Sequence, residues 1–83
     1  MIQVQILYFA SVREALGPGE RVATRAATLG DLRDELIARD DAHAQALGRH
    51  RPLRVALDQI LCEEISPLRQ AAEVAFFPPV TGG

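Results

Sequence analysis

Gly82-Gly83 closes the sequence and is the residue pair with the clearest chemical use. Two glycines carry no side chains, so they can thread a narrow channel in a partner enzyme. A carboxylate at such an end can be activated as an acyl adenylate. A sulfur donor can then convert it to a thiocarboxylate, a soft nucleophile that delivers sulfur. Pro78-Pro79 stiffens the root of this tail and holds it away from the body, which lowers the entropy lost on insertion. The other chemistry-bearing residues form no catalytic constellation. His43 and His50 have no cysteine or carboxylate at metal-ligand spacing, so no metal site is expected and both read as solvated surface side chains. Cys62 has no histidine near it in sequence, falls on an apolar segment and reads as a structural, buried thiol. The adjacent carboxylates of Asp40-Asp41 and Glu63-Glu64 point in different directions and read as helix-end and loop charges. Gly17-Pro18-Gly19 lacks the lysine and following helix of a phosphate-binding loop and reads as a turn.

Eighty-three residues make one domain with little room for an enzyme cleft. The formal net charge of −2 argues against nucleic-acid binding, which needs a dense basic face. All nine positive side chains are arginine, so no side-chain amine can attack an activated acyl group on this chain. One cysteine permits no intrachain disulfide. No apolar run is long enough for a transmembrane helix, and no secretory signal is visible, so a cytoplasmic protein without membrane contact is expected.

The elements that must position the tail follow from periodicity. Residues 2–9 alternate as a strand, with Ile2, Val4, Ile6 and Tyr8 on one face and Gln3, Gln5, Leu7 and Phe9 on the other. That second face turns from polar to apolar along its length. Ser11 and Glu14 fit a capping box for a short helix ending near Gly17. A second strand is expected over 20–26. Thr28 caps the main helix, which carries Leu29, Leu32 and Leu36 at helical spacing to Arg39. Glu35 and Arg39 stand four apart as a surface pair. Asp40-Asp41 caps a short helix over 42–47, and Arg49 to Pro52 forms a solvated basic loop. Strands over 53–57 and 60–62 meet at a tight Asp58-Gln59 turn, and 73–77 forms the last strand, ended by Pro78-Pro79. The first and last strands are apolar enough to be central. This order fits an α+β fold of the β-grasp, ubiquitin-like type, a mixed five-stranded sheet packed on one main helix. Residues 1–79 form the domain, and 80–83 a flexible tail.

Strand parity also marks a partner surface. Phe9 lies opposite the Ile2 face, Leu61 opposite Ile60 and Cys62, and Phe77 opposite Phe76. Convergence of Phe9, Leu61 and Phe77 would leave an apolar patch at the tail's root, the kind of patch that marks an interaction site. Arg13, Arg49, Arg51 and Arg54 could add contacts at its rim.

The closing run from Glu73 through Phe76-Phe77-Pro78-Pro79-Val80-Thr81-Gly82-Gly83 resembles the signature of the molybdopterin synthase small subunits, a family of ubiquitin-like sulfur carriers. Leu7 to Ala10 with Val12 to Glu14, Thr28 to Leu36 and Val55 to Leu61 share the likeness, which covers most of the chain. Asp58 departs from it, standing where such chains commonly carry asparagine in the hairpin. The resemblance implies that a ubiquitin-activating-type adenylyltransferase joins AMP from ATP to the carboxyl of Gly83 and that a sulfurtransferase replaces the AMP with sulfur. No cofactor is held tightly; the adenylate and the thiocarboxylate are transient. The tail, with Gly82 and Gly83 reactive and Phe9, Leu61, Phe77, Pro78, Pro79, Val80 and Thr81 contacting the partner, then enters a larger synthase subunit in an assembly of two small and two large chains. There it supplies the dithiolene sulfurs that turn cyclic pyranopterin monophosphate into molybdopterin, the catalytic side chains belonging to the large subunit. Other outcomes open to the same tail are sulfur delivery for thiamin or tRNA thiolation, or ubiquitin-like modification.

Overall fold

The computed structural model describes residues 1–79; the tail expected over 80–83 lies outside the described residues. In chain order the elements are β1 (Ile2–Tyr8), α1 (Ala10–Leu16), β2 (Gly19–Thr24), α2 (Leu29–Ile37), α3 (Asp41–Leu47), β3 (Arg54–Leu57), β4 (Ile60–Cys62) and β5 (Glu73–Phe77). The five strands make one sheet in the order β2-β1-β5-β3-β4. β1 and β5 run parallel and the other neighbours antiparallel, so the sheet is mixed. This is the β-grasp arrangement, with the first and last strands interior and two short helices beside the main one.

Alternation decides the layers. Val4, Ile6 and Tyr8 of β1, Val55 of β3, and Val74 and Phe76 of β5 face one side. There they meet Val12 of α1, Leu29, Leu32 and Leu36 of α2, and Ala46 and Leu47 of α3. Fully burying a side chain of this size contributes roughly 1.5–3 kcal/mol, so this layer supplies most of the driving force. All the helices share that layer, so among the described residues no helix packs on the other face of the sheet.

Local signals set most element ends. The Thr28 hydroxyl accepts the Asp31 N–H at 3.1 Å, and the Asp40 carboxylate accepts the His43 N–H at 2.8 Å, capping α2 and α3. Asp58 and Gln59 both take positive φ (49° and 71°), as a two-residue turn matching the twist of its strands requires. The Asp58 carboxylate also accepts the Glu73 N–H at 3.0 Å, fixing the turn against β5.

Several expectations need correction. Ser11 is not the cap of α1: the helix starts at Ala10 behind Phe9 and has no side-chain cap. The sheet takes precedence, because the Phe9 N–H donates to the Phe76 carbonyl and holds the chain extended to that residue. Strand β2 ends at Thr24, whose hydroxyl turns back to accept the Ala26 N–H at 2.9 Å. Glu35 and Arg39 do not pair with each other. Glu35 accepts from the buried Thr24 hydroxyl, while Arg39 donates to Glu20. Nor is Arg49 to Pro52 simply a solvated basic loop, because Arg49 pairs with Asp34 and Glu64.

Candidate functional site

The tail's root is built by the parity of β5. Phe76 points into the core and is fully buried, so Phe77 must point to the uncovered face, where it is half-buried. Pro78 has no N–H to continue the ladder, and β5 stops at Phe77. Phe9 is carried to the same place by β1. Its N–H donates to the Phe76 carbonyl at 3.2 Å, and its own carbonyl accepts from Val12 and Arg13. The Phe9 and Phe77 rings meet edge to face, with centroids 6.5 Å apart and planes at 84°. Phe9 remains 41% exposed, so no element of the described chain covers it. Leu61, 60% exposed, lines with Arg54, Phe77 and Pro79 a shallow cavity of about 210 Å³. Phe9, Leu61, Phe77, Pro78 and Pro79 thus gather at the end of the sheet where the chain leaves β5. Val80, Thr81, Gly82 and Gly83 lie outside the described residues.

Two ionic hubs brace this body. Glu20 of β2 receives the Tyr8 hydroxyl at 2.8 Å and an Arg39 N–H, and its Oε2 lies 3.0 Å from His43 Nε2. Burial works against its ionisation. The hydrogen bonds from His43, Arg39 and Tyr8 outweigh that and hold its carboxyl below the usual range. The Tyr8 phenol is pushed far up, by burial first and then by Glu20. At the other hub, Arg33 is buried and donates to the Leu47 carbonyl at 2.7 Å, the Gly48 carbonyl at 2.8 Å, the Arg51 carbonyl at 3.1 Å and Glu64 at 2.8 Å. Burial likewise opposes the charge on Glu64, but Arg49 and Arg33 together keep its pKa low.

His43 is therefore not the solvated surface side chain its sequence context suggests. It is buried at the start of α3, with Nδ1 2.8 Å from Asp40 and Nε2 facing Glu20. Glu64 is an ion-pair anchor rather than a loose loop charge, and Cys62 is only half-buried at the edge of the core. Among the described residues no three histidine, cysteine or acidic side chains gather as metal ligands. None of these helices is long and apolar enough to cross a membrane.

A β-grasp sheet with an uncovered apolar end can serve many proteins, so likeness to known chains decides the family. The model of the ThiS family matches residues 6–83. The chain belongs to the ThiS family. One relative, the molybdopterin synthase sulfur carrier subunit of Escherichia coli (strain K12), is 42% identical over 81 residues, which cover 96% of this chain and 99% of that one. Among solved structures, this ThiS-family chain resembles SAMP1 from Haloferax volcanii, with TM-score 0.75, 27% identity, and 98% and 99% of the two chains covered. It shares its fold with a chain of the complex of subunits 1 and 2 of the molybdopterin-converting factor from Helicobacter pylori 26695, with TM-score 0.70, 24% identity, and 99% and 100% covered.

Sequence reasoning missed the middle of the ThiS-family chain's uncovered face. Ala75 and Ala56 lie there between Leu7 and Leu61. The signal was available in parity: Ala75 stands two residues before Phe77, and Ala56 lies opposite in face to the buried Val55.

Proposed function

We propose that this chain is the sulfur-carrier subunit of a molybdopterin synthase. The observation that carries the proposal is the apolar cluster of Phe9, Leu61 and Phe77 at the point where the chain leaves β5, in a chain alike over its length to a subunit of that name. A partner that takes in the tail must cover its root, and this root is apolar. The carboxyl of Gly83 attacks the α-phosphate of ATP, forming an acyl adenylate and releasing pyrophosphate. The outer sulfur of a sulfurtransferase persulfide displaces AMP to give an acyl disulfide, and a second thiol attacks the sulfurtransferase cysteine sulfur of that bond, forming a disulfide with it and releasing the thiocarboxylate. The tail then enters the large subunit, where the thiocarboxylate sulfur displaces an oxygen substituent of the pterin precursor, and water cleaves the acyl C–S bond of the resulting thioester, returning the glycine carboxylate and leaving the sulfur on the product. Gly82 and Gly83 pass the channel because they present no side chain, and Pro78 and Pro79 set the direction of entry. The assembly is two small and two large subunits, acting in the cytoplasm. The activating enzyme and the sulfurtransferase are its other partners.

Intact mass spectrometry tests this reading after incubation with an activating enzyme, ATP and a sulfide source. The expected product carries one sulfur in place of one oxygen at Gly83 and forms molybdopterin when the large subunit and precursor are added. A chain extended by one residue beyond Gly83 is expected to fold and to do neither. Undiminished molybdopterin formation by the extended chain refutes the mechanism, and lysine-linked conjugates on a gel in place of sulfur transfer assign the chain as a modifier instead.

A further inference from the structure

The uncovered face of the sheet is ordered in rows. Register places Gly19 beside Leu7, Leu7 beside Ala75, Ala75 beside Ala56, and Ala56 beside Leu61, so one line of apolar residues crosses all five strands. Its middle is two alanines, of which Ala56 is only 7% exposed, and its flanks are leucines, Leu61 being 60% exposed, so the smaller side chains set a shallow trough into the row. One row toward the start of β1 the face is polar: Arg21 beside Gln5, and Gln5 beside Glu73. One row toward the tail stand Phe77 and, beside it on β3, Arg54.

Arg54 is unlike the arginines that brace the fold. Arg33, Arg39, Arg49 and Arg69 each meet a carboxylate. Arg54 is exposed, and among the described residues no carboxylate stands within ion-pair distance of it. Glu63 and Glu64 border the same strand pair, but Glu64 is taken up by Arg33 and Arg49. A guanidinium set into an apolar rim suits a planar carboxylate arriving from outside.

We propose that this trough and Arg54 form a specificity-determining surface for the large subunit, an inference that rests on the sulfur-carrier reading. An apolar side chain of the large subunit seats over Ala75, between Leu7 and Leu61, and a carboxylate of the same segment meets Arg54. The two rows lie about 6.6 Å apart along the strand, so the segment presents its apolar and acidic groups at that spacing. The occupant is the large subunit rather than a second copy because Arg54 shares its cavity with Pro79. Whatever seats here also covers the root of the tail, and a second copy would obstruct the delivery the tail exists to make.

The test is titration calorimetry of the full chain against the synthase large subunit, with thermal melts to establish that each variant is folded. Arg54→Glu is expected to weaken binding about tenfold or more and to flatten its salt dependence. Ala75→Leu, which fills the trough, is expected to weaken it comparably. Arg21→Glu changes the same charge on the polar row and is expected to stay within about twofold of wild type. Equal effects of Arg54→Glu and Arg21→Glu, or an Arg54→Glu affinity within twofold of wild type, overturn the inference; so does a self-association of the wild-type chain that Arg54→Glu abolishes. Should Ala75→Leu fail to fold, the two charge variants still decide. Loss of binding in Phe77→Ala alone, with Arg54→Glu and Ala75→Leu intact, sinks this inference and spares the carrier reading. A wild-type chain that binds no large subunit sinks both.

Discussion

Replacing Arg33 with methionine is the sharpest test of what holds the molecule together. The side chain is 3% exposed, and its guanidinium joins three segments at once: the end of α3 through the Leu47 and Gly48 carbonyls, the following loop through Arg51, and the segment after β4 through Glu64. Methionine preserves most of the buried stem and removes every donor. Each hydrogen bond to a charged group contributes about 1.5–3 kcal/mol, yet simple addition overshoots because the loop carbonyls can turn toward water. Breaking a buried ion pair by removing one partner costs about 3–5 kcal/mol, and that is the expected loss. A chain of this length is stable by only about 4–12 kcal/mol, so Arg33→Met is expected to lie near the edge of folding at 25 °C. Arg33→Lys keeps the charge without the planar fork, cannot reach Leu47, Gly48 and Glu64 together, and is expected to recover less than half the loss. Urea unfolding followed by circular dichroism at neutral pH measures both variants. A loss below about 1 kcal/mol for Arg33→Met refutes the claim that this guanidinium ties the three segments.

The remaining predictions are more local. Thr28→Ala removes the cap of α2 and is expected to cost about 1 kcal/mol in the same urea assay, with Thr28→Ser largely neutral. Phe9→Ala and Phe77→Ala each remove one ring of the edge-to-face pair and are expected to weaken large-subunit binding by about 1–3 kcal/mol by calorimetry; unchanged affinity for both removes the proposed interface. Glu20 and Glu64 have lower pKa values folded than unfolded, so the unfolded chain binds more protons as their carboxyls titrate. Their stabilisation is therefore complete above the ordinary carboxylate value of 4.5 and is lost as pH falls below it. Urea midpoints are expected to be level between neutral pH and that point and to drop beneath it, the drop shrinking in Glu20→Gln and Glu64→Gln. An unaltered acid limb in both variants rules out the two hubs as its source.

What the sequence made legible depends on how far apart the interacting residues lie. The caps at Thr28 and Asp40, the Asp58-Gln59 turn and the stop at Pro78 are set by neighbours within a few positions, and local rules recover them. The inward and outward parities of β1 and β5 follow from a period of two, which puts Phe76 and Phe77 on opposite faces. The hubs escape such rules. Glu20 and His43 are separated by 23 positions and Arg33 and Glu64 by 31, so their meeting depends on sheet order and helix placement. Local reasoning even misled there: Glu35 and Arg39 have the right spacing for each other, but Thr24 and Glu20 offer more enclosed partners. At the site, Gly82-Gly83 stands out by residue type alone and lies outside the described residues, whereas the row of alanines became visible only once register lined Leu7, Ala75, Ala56 and Leu61 together.

That register also fixes the point at which the chain leaves the sheet. β5 is the middle strand, bonded to β1 on one side and β3 on the other, and it is the last element of the described chain. An edge strand would leave one side of its backbone unpaired, and its final residues could fray or slip by one position. Slippage by one would turn Phe77 into the core and Phe76 out, moving the patch, the cavity beside Leu61 and the direction of the chain at Pro78 together. Pairing on both sides forbids this: Phe76 lies between Tyr8 and Val55, and Phe77 is held against Arg54. The fully buried Phe76 then makes the register expensive to change, since exposing a phenylalanine costs about 1.5–3 kcal/mol before any ladder bond is counted. On the proposed sulfur-carrier reading, the chain end enters another protein and has to leave its own from a fixed point and at a fixed angle. Rooting the exit on the central strand, one residue past a buried aromatic, supplies that fixed point.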